Sequence, residues 1–261
     1  MEEDIQNKQI KVGKLDIHYI TGGEGEPLLV IHGGGDGANS WLETADHLSE
    51  RYRIYVPDLP GFGRSQPIAN NNNDILDFVK FIDDFSNNLG IKRFHLIGHS
   101  FGSDVALHYA LRFPKKIIKL VLLNSIHIGI APWVKFLSSP FFCKTLGLPA
   151  HFILEATKWL VHLFYSPSEF RNPLSRSKIA LANYVVTLKE QGAILMNQLS
   201  ELMLPTLLVC GAKDIIVPIS QAHSAAQLFP NCQLKIFENC GHNVHNQESK
   251  EFSRLMKEFL G

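Results

Sequence analysis

The sequence has little net charge, few cysteines and no long apolar run. Lys and Arg together number 25, as do Asp and Glu, so no net charge would attract nucleic-acid phosphates or anionic lipid. We therefore expect no nucleic-acid partner and no membrane contact.

Cysteine usage and the first residues of the chain predict a cytoplasmic location. The cysteines Cys143, Cys210, Cys232 and Cys240 show no Cys-x-x-Cys spacing and are too few to cross-link 261 residues. Residues 1–8 are polar and acidic and lack the apolar region of a secretory signal. No apolar run is long enough to cross a membrane.

Apolar strands alternate with helical patterns over most of the chain, of which 45% is apolar and 19% charged. Strands are predicted at 15–20, 28–31, 52–56, 94–97, 120–124, 206–210 and 233–237. Helices are predicted at 38–49, 74–89, from 104 to about 113 and at 249–259. This order predicts an α/β fold, with a mostly parallel central sheet covered by helices on both faces. Ligands bind at the C-terminal ends of the strands in such sheets.

The alternation lapses between 126 and 205, where helical patterns and aromatic residues occur without a convincing strand. We predict a core domain of 1–125 and 206–261 with an inserted helical lid at 126–205. Trp133, Phe136 and Trp159 are expected to line an apolar substrate pocket, although packing onto the core is the better explanation for most lid aromatics taken one by one. An exposed apolar lid edge would suit a membrane or a second copy of the chain, so the oligomeric state stays open.

The sequence Gly-His-Ser-Phe-Gly at 98–102 directly follows a predicted strand and precedes a helical pattern. In that context the glycines permit a sharp turn, which lifts the Ser100 hydroxyl clear of the sheet. The start of the following helix favours negative charge nearby. These features predict that Ser100 is a nucleophile.

Several segments, in this order, resemble the α/β-hydrolase superfamily: His32-Gly33-Gly34-Gly35 after a strand, the loop 58–65, the turn 98–102, Gly211-Ala212-Lys213-Asp214 after a strand, and Gly241-His242 before the last helix. The likeness covers everything except the predicted lid. Ser103 stands where a second glycine is usual, which leaves the three required positions of the turn intact.

The resemblance implies a serine, acid and histidine in that chain order. A serine hydroxyl needs an imidazole to take its proton, and that imidazole needs a carboxylate to hold its tautomer. His242 is expected to be the base, with His245 as the alternative, and Asp214 is expected to be the acid. A turn aspartate that caps the next helix is the other interpretation of Asp214.

The backbone N–H groups of Gly34 and Phe101 are expected to form the oxyanion hole, because backbone donors need no side-chain reorganisation. Gly35, Val217 and Asn243 are expected to contribute to the substrate pocket. By resemblance, the loop 58–65 supports the architecture and takes no part in the chemistry.

Ser100 in place of aspartate argues against the epoxide hydrolases and dehalogenases of the superfamily. We predict a serine hydrolase that cleaves esters or thioesters with small-molecule apolar acyl groups, without a metal or other cofactor. One alternative is a carbon–carbon bond hydrolase of ring-fission-type diketone acids, which the glycine-rich loop favours. That subgroup usually has tryptophan where this chain has Asn243. A non-catalytic ligand receptor is the third possibility.

Overall fold

The computed structural model describes residues 5–68, 74–125 and 198–261. Eight strands form one sheet in the spatial order β1-β2-β4-β3-β5-β6-β7-β8. The strands are β1 Gln6–Val12, β2 Leu15–Gly22, β3 Glu26–Ile31, β4 Tyr52–Pro57, β5 Phe94–His99, β6 Ile117–Leu123, β7 Thr206–Gly211 and β8 Cys232–Phe237. β2 pairs antiparallel with β1 and β4, and all other neighbours are parallel.

Helices cover both faces of the sheet within the described ranges. They are α1 Leu42–Ser49, α2 Ile75–Asn88, α3 Phe101–Arg112, α4 Ile219–Ala226, α5 Val244–Gln247 and α6 Ser249–Leu260. α2 and α3 pack with one apolar cluster, whereas α1 and α6 pack with the other. Successive residues of a strand point to opposite faces, so Leu29 joins the first cluster and Val30 the second. Burial on both faces explains why the central strands are continuous apolar runs.

The α/β fold with a mostly parallel central sheet is confirmed, and two local predictions need correction. β1 was not predicted, because its residues are mostly exposed and polar at the edge of the sheet. The helix predicted at 38–49 begins instead as a 3-10 turn at Ala38–Trp41, and the α-helix starts at Leu42. The predicted lid lies largely outside the described residues, so its boundaries stay a prediction. None of the helices in the described ranges is long and apolar enough to cross a membrane.

The loop after β4 is held by the buried carboxylate of Asp58. Its Oδ2 accepts hydrogen bonds from His18 Nδ1 at 2.7 Å and from the Arg64 backbone N–H at 2.8 Å. Its Oδ1 accepts from the Ala38 backbone N–H at 2.5 Å. Because Ala38 follows the glycine-rich loop after β3, Asp58 ties that loop to the body of the fold.

Replacing Asp58 by asparagine is expected to lower the free energy of unfolding by about 3 kcal/mol, because an amide presents a donor to groups that already donate. Urea unfolding monitored by circular dichroism measures the change. Asp16→Asn is the matched control, since Asp16 is exposed and its carboxylate, within the described part of the chain, pairs with the exposed Lys11 at 3.6 Å. The control should cost at most about 0.5 kcal/mol. Equal losses in the two variants would contradict this role of Asp58.

Candidate active site

Ser100 occupies a strained turn between β5 and α3. Its backbone has φ 51° and ψ −117°, a conformation that residues other than glycine rarely adopt. The Ser100 backbone N–H donates to the carbonyl of Leu123 at 2.8 Å, which anchors the turn to the neighbouring strand β6. Such strain persists only where the surrounding structure imposes it, so this conformation indicates a functional residue.

Two glycines make the turn at Ser100 sterically possible. A Cβ on Gly98 would lie 2.3 Å from the Gly102 carbonyl oxygen. A Cβ on Gly102 would lie 2.3 Å from the carbonyl oxygen of Ile31 on β3. Both distances are far below van der Waals contact, so any side chain there would push the turn away from the sheet.

The structure brings Ser100, His242 and Asp214 together in one chain of hydrogen bonds. His242 Nε2 lies 2.8 Å from Ser100 Oγ, and His242 Nδ1 lies 2.8 Å from Asp214 Oδ2. A carboxylate only accepts, so Nδ1 carries the proton, and the lone pair of Nε2 faces the serine hydroxyl. The imidazole is therefore oriented to take a proton from Ser100.

Asp214 is held by donors on both carboxylate oxygens. Oδ1 accepts from the backbone N–H groups of Ile216 at 2.8 Å and Val217 at 3.1 Å, while Oδ2 accepts from His242. Burial by itself would raise the pKa of Asp214, but the hydrogen bonds and charge of His242 and the two backbone donors together lower this pKa. Asp214 is thus ionised at neutral pH and able to stabilise a positive imidazolium.

Asn124 is a site residue that the sequence analysis missed. It follows β6 in a left-handed conformation, with φ 48°, and is completely buried. Its Nδ2 donates to Asp214 Oδ2 at 2.5 Å and to the Gly241 carbonyl at 3.2 Å. It therefore joins the acid to the segment that carries His242. The available signal was a polar residue at the C-terminal end of a buried strand beside the nucleophile strand.

The register of the sheet puts the glycine-rich loop beside Ser100. Ile31 on β3 pairs in parallel with Gly98 on β5, so the residues after Ile31 run alongside the turn. Gly34 lies buried in this loop, and Gly35 is exposed with φ 91°. Phe101 is the first residue of α3, and its ring stacks on Phe62. Phe101 directly follows Ser100, and the oxyanion-hole role of Gly34 and Phe101 stays a prediction.

His32 joins the glycine-rich loop to the loop after β4. Its Nδ1 donates to the Gly33 carbonyl at 2.8 Å, and its Nε2 accepts from the Leu59 backbone N–H at 3.0 Å. Burial lowers the pKa of His32, which keeps the ring neutral, as an accepting Nε2 requires.

No hydrogen bond joins His245 to Ser100 in the described part of the chain. It is buried, its ring stacks on Trp41 at 4.1 Å, and burial lowers its pKa to about 3. His245, the alternative base, is therefore a buried residue that packs against Trp41. Among the described residues, no three His, Cys, Asp or Glu side chains are grouped to hold a metal ion.

The expected pocket residues fall into two groups. Val217 is buried next to Asp214, and Asn243 is half-buried directly after His242. Trp133, Phe136 and Trp159 lie outside the described residues, so their place in a pocket stays a prediction.

Comparison with known proteins identifies related chains. A family model described as alpha/beta hydrolase fold matches residues 26–141 and 155–249. A 2-hydroxy-6-oxononadienedioate/2-hydroxy-6-oxononatrienedioate hydrolase of Pseudomonas putida is 29% identical, over 97% of this chain and 94% of its own. A 2-hydroxy-6-oxo-6-phenylhexa-2,4-dienoate hydrolase of Comamonas testosteroni is 27% identical, over 100% and 98%. A solved meta-cleavage product hydrolase from Pseudomonas fluorescens IP01 has 25% identity and a TM-score of 0.74, with 98% of each chain covered.

Replacing Asp214 by asparagine is expected to slow the reaction of Ser100 with a fluorophosphonate by about 10⁴-fold, because the amide no longer enforces the tautomer of His242. The second-order rate of phosphonylation, followed by intact-protein mass spectrometry, measures this. Asp84→Asn, which removes an exposed ion pair with Lys80, should react like the wild type. A rate for Asp214→Asn within tenfold of wild type would rule out Asp214 as the orienting acid.

The Asn124→Gly substitution is expected to lower the same rate about 10- to 100-fold, since a hydrogen bond to a charged group contributes about 1.5–3 kcal/mol. Glycine tolerates the left-handed backbone at this position, so the variant removes the amide with little added strain. Thermal unfolding checks that the fold is retained. An unchanged rate would show that Asp214 is held without Asn124.

Proposed function

The chain belongs to the α/β-hydrolase family, and from that premise we propose that it hydrolyses a carbon–carbon bond in 2-hydroxy-6-oxo-2,4-dienoate acids. The observation that carries the proposal is the hydrogen-bonded chain of Ser100, His242 and Asp214 in a protein whose relatives bear the names of such hydrolases over nearly their full lengths. From the sequence alone, ester hydrolysis is the first prediction. The relatives favour its carbon–carbon alternative instead.

The substrate is proposed to ketonise first, with the 2-hydroxyl proton lost to solvent and a proton gained at C5 from solvent. Ser100 then attacks the ketone carbon C6 of this keto tautomer. His242 Nε2 takes the hydroxyl proton as the new C–O bond forms, and the negative charge moves to the former carbonyl oxygen. The backbone N–H groups of Gly34 and Phe101 are proposed to donate to that oxygen, each typically worth about 10²- to 10³-fold in turnover. Asp214 stabilises the imidazolium formed at the same moment.

The bond between C5 and C6 then breaks. Its electron pair is delocalised toward the 2-oxo acid end of the keto tautomer, and the imidazolium of His242 returns its proton to that fragment. Water attacks the acyl group left on Ser100, with His242 again as base, and this releases the second acid. The protons that Ser100 and the attacking water lose both pass through one nitrogen, His242 Nε2, which lies 2.8 Å from Ser100 Oγ.

Ester or thioester hydrolysis is the second candidate. It uses the same attack on a carbonyl carbon, with an alkoxide or thiolate leaving in place of the carbon fragment. The observation in its favour is Asn243, since by resemblance the carbon–carbon subgroup usually has tryptophan directly after the catalytic histidine.

A non-catalytic receptor is disfavoured by the same geometry. A binding pocket does not need a serine in a strained turn, nor a histidine hydrogen-bonded to both that serine and a carboxylate.

A cytoplasmic location is proposed together with the function, and it is supported by the free thiols of Cys210, Cys232 and Cys240.

We predict that 2-hydroxy-6-oxo-6-phenylhexa-2,4-dienoate is turned over at least tenfold faster than any p-nitrophenyl ester from acetate to palmitate. The loss of dienolate absorbance and the release of p-nitrophenolate measure the two values of kcat/KM. Ser100→Ala should lower kcat/KM by roughly 10⁴- to 10⁶-fold, the range for loss of a triad nucleophile. Ser224→Ala, at an exposed serine of α4, is the matched control and should retain full activity.

The reverse order of substrates would establish the ester hydrolase instead. A rate that survives in Ser100→Ala would contradict the nucleophile in either function.

A further inference from the structure

His99 is the second residue of the turn at 98–102, and its side chain is held in place by its neighbours. His99 is completely buried, and its Nε2 lies 3.0 Å from the backbone carbonyl oxygen of His242. Carbonyl oxygens only accept, so the Nε2–H of His99 is the donor. We propose that His99 is a positioning residue, which holds the backbone of His242 and the glycine-rich loop in register with Ser100. This inference rests on the proposed role of Ser100 and His242 in catalysis.

The contacts of His99 connect the segments that must converge for the reaction. Its covalent neighbour is Ser100, and its hydrogen bond reaches His242 from a position 143 residues away in the chain. The His99 ring also packs against the rings of His242 and His245, with centroids 5.1 Å and 4.6 Å apart. The base segment therefore rests on the strand that carries the nucleophile.

The other edge of the His99 ring touches the glycine-rich loop. A Cβ on Gly33 would lie only 2.8 Å from His99 Nδ1, so the ring lies directly against the loop backbone. Gly34, the expected oxyanion donor, is the next residue. Position 99 thus contacts the donor loop as well as the segment that carries His242.

Packing alone does not explain a histidine at this position. Its Nδ1 has no hydrogen-bond partner among the described residues, and the nearest carboxylate, Asp36 Oδ2, is 3.9 Å away. A buried polar atom without a partner is costly, and an apolar side chain of similar size would avoid that cost. The hydrogen bond to His242 is what an apolar residue would lose.

The electrostatics of His99 suit this role. Burial, followed by the neighbouring His245 and His242, lowers the pKa of His99 well below its ordinary value, so the ring stays neutral. A positive charge here would oppose the imidazolium that forms on His242 during turnover. His99 therefore supplies a donor without adding charge.

The test compares His99→Gln with His99→Met. Glutamine places an N–H at the same distance from Cβ as Nε2 of histidine, whereas methionine has similar length and cannot donate. Each variant is titrated with an alkyl fluorophosphonate, and the limiting rate of Ser100 phosphonylation is separated from the half-saturating concentration. Thermal unfolding is measured for both proteins, so that a loss of fold is recognised.

We expect His99→Met to lower the limiting rate about 10-fold, the effect of one lost hydrogen bond, with the half-saturating concentration unchanged. His99→Gln should keep the rate within about threefold of the wild type. Equal rates for the two variants, whether both low or both normal, would overturn the positioning role. A wild-type protein that does not react at Ser100 at all would overturn the proposed function, and this inference with it.

Discussion

The turn at Ser100 is the constraint on which the rest of the site depends, because it forces a non-glycine residue into φ 51° at the end of a central strand. Only glycine fits at 98 and 102, where any Cβ would meet the backbone within 2.3 Å. The turn is anchored sideways as well. Ser103 Oγ lies 2.5 Å from the Gly98 carbonyl and accepts from the Leu123 backbone N–H at 3.1 Å. The residue that departs from the usual second glycine therefore braces the turn.

The fold also depends on buried polar groups, each of which is hydrogen-bonded to other segments of the chain. Asp58 holds the loop after β4 and the start of the first helical turn, whereas Asp214 collects His242, Asn124 and two backbone donors. Buried carboxylates are tolerated only where donors compensate their lost hydration. The site is thus preorganised before substrate arrives, and catalysis by electrostatic stabilisation requires such preorganisation.

Local patterns made much of this architecture predictable from sequence. A run of apolar residues that ends in Gly-His-Ser-Phe-Gly specifies β5, the turn and α3 together, and the structure has them at Phe94–His99 and Phe101–Arg112. β1 escaped prediction because its residues lie at the sheet edge, where an apolar alternation is not required. The edge position of β1 depends on its pairing with β2, and the residues of β1 alone do not indicate that pairing.

Asn124 and His99 show a different limit of sequence reasoning. Each acts through a partner far along the chain, Asp214 for Asn124 and His242 for His99, so the local sequence marks a strand end or a turn and does not indicate the contact itself. The sequence motifs do not identify the substrate either. Attack on a carbonyl carbon by the same three groups serves an ester or a diketone acid equally well, and the distinction comes from the relatives.

The most direct test of the central claim, that Ser100 carries the acyl group, is rapid-quench mass spectrometry during turnover of 2-hydroxy-6-oxo-6-phenylhexa-2,4-dienoate. The account predicts a benzoyl adduct on the peptide that contains Ser100, formed and lost fast enough to support the steady-state rate. Continued turnover with no adduct on that peptide, or an adduct on another residue, would contradict it.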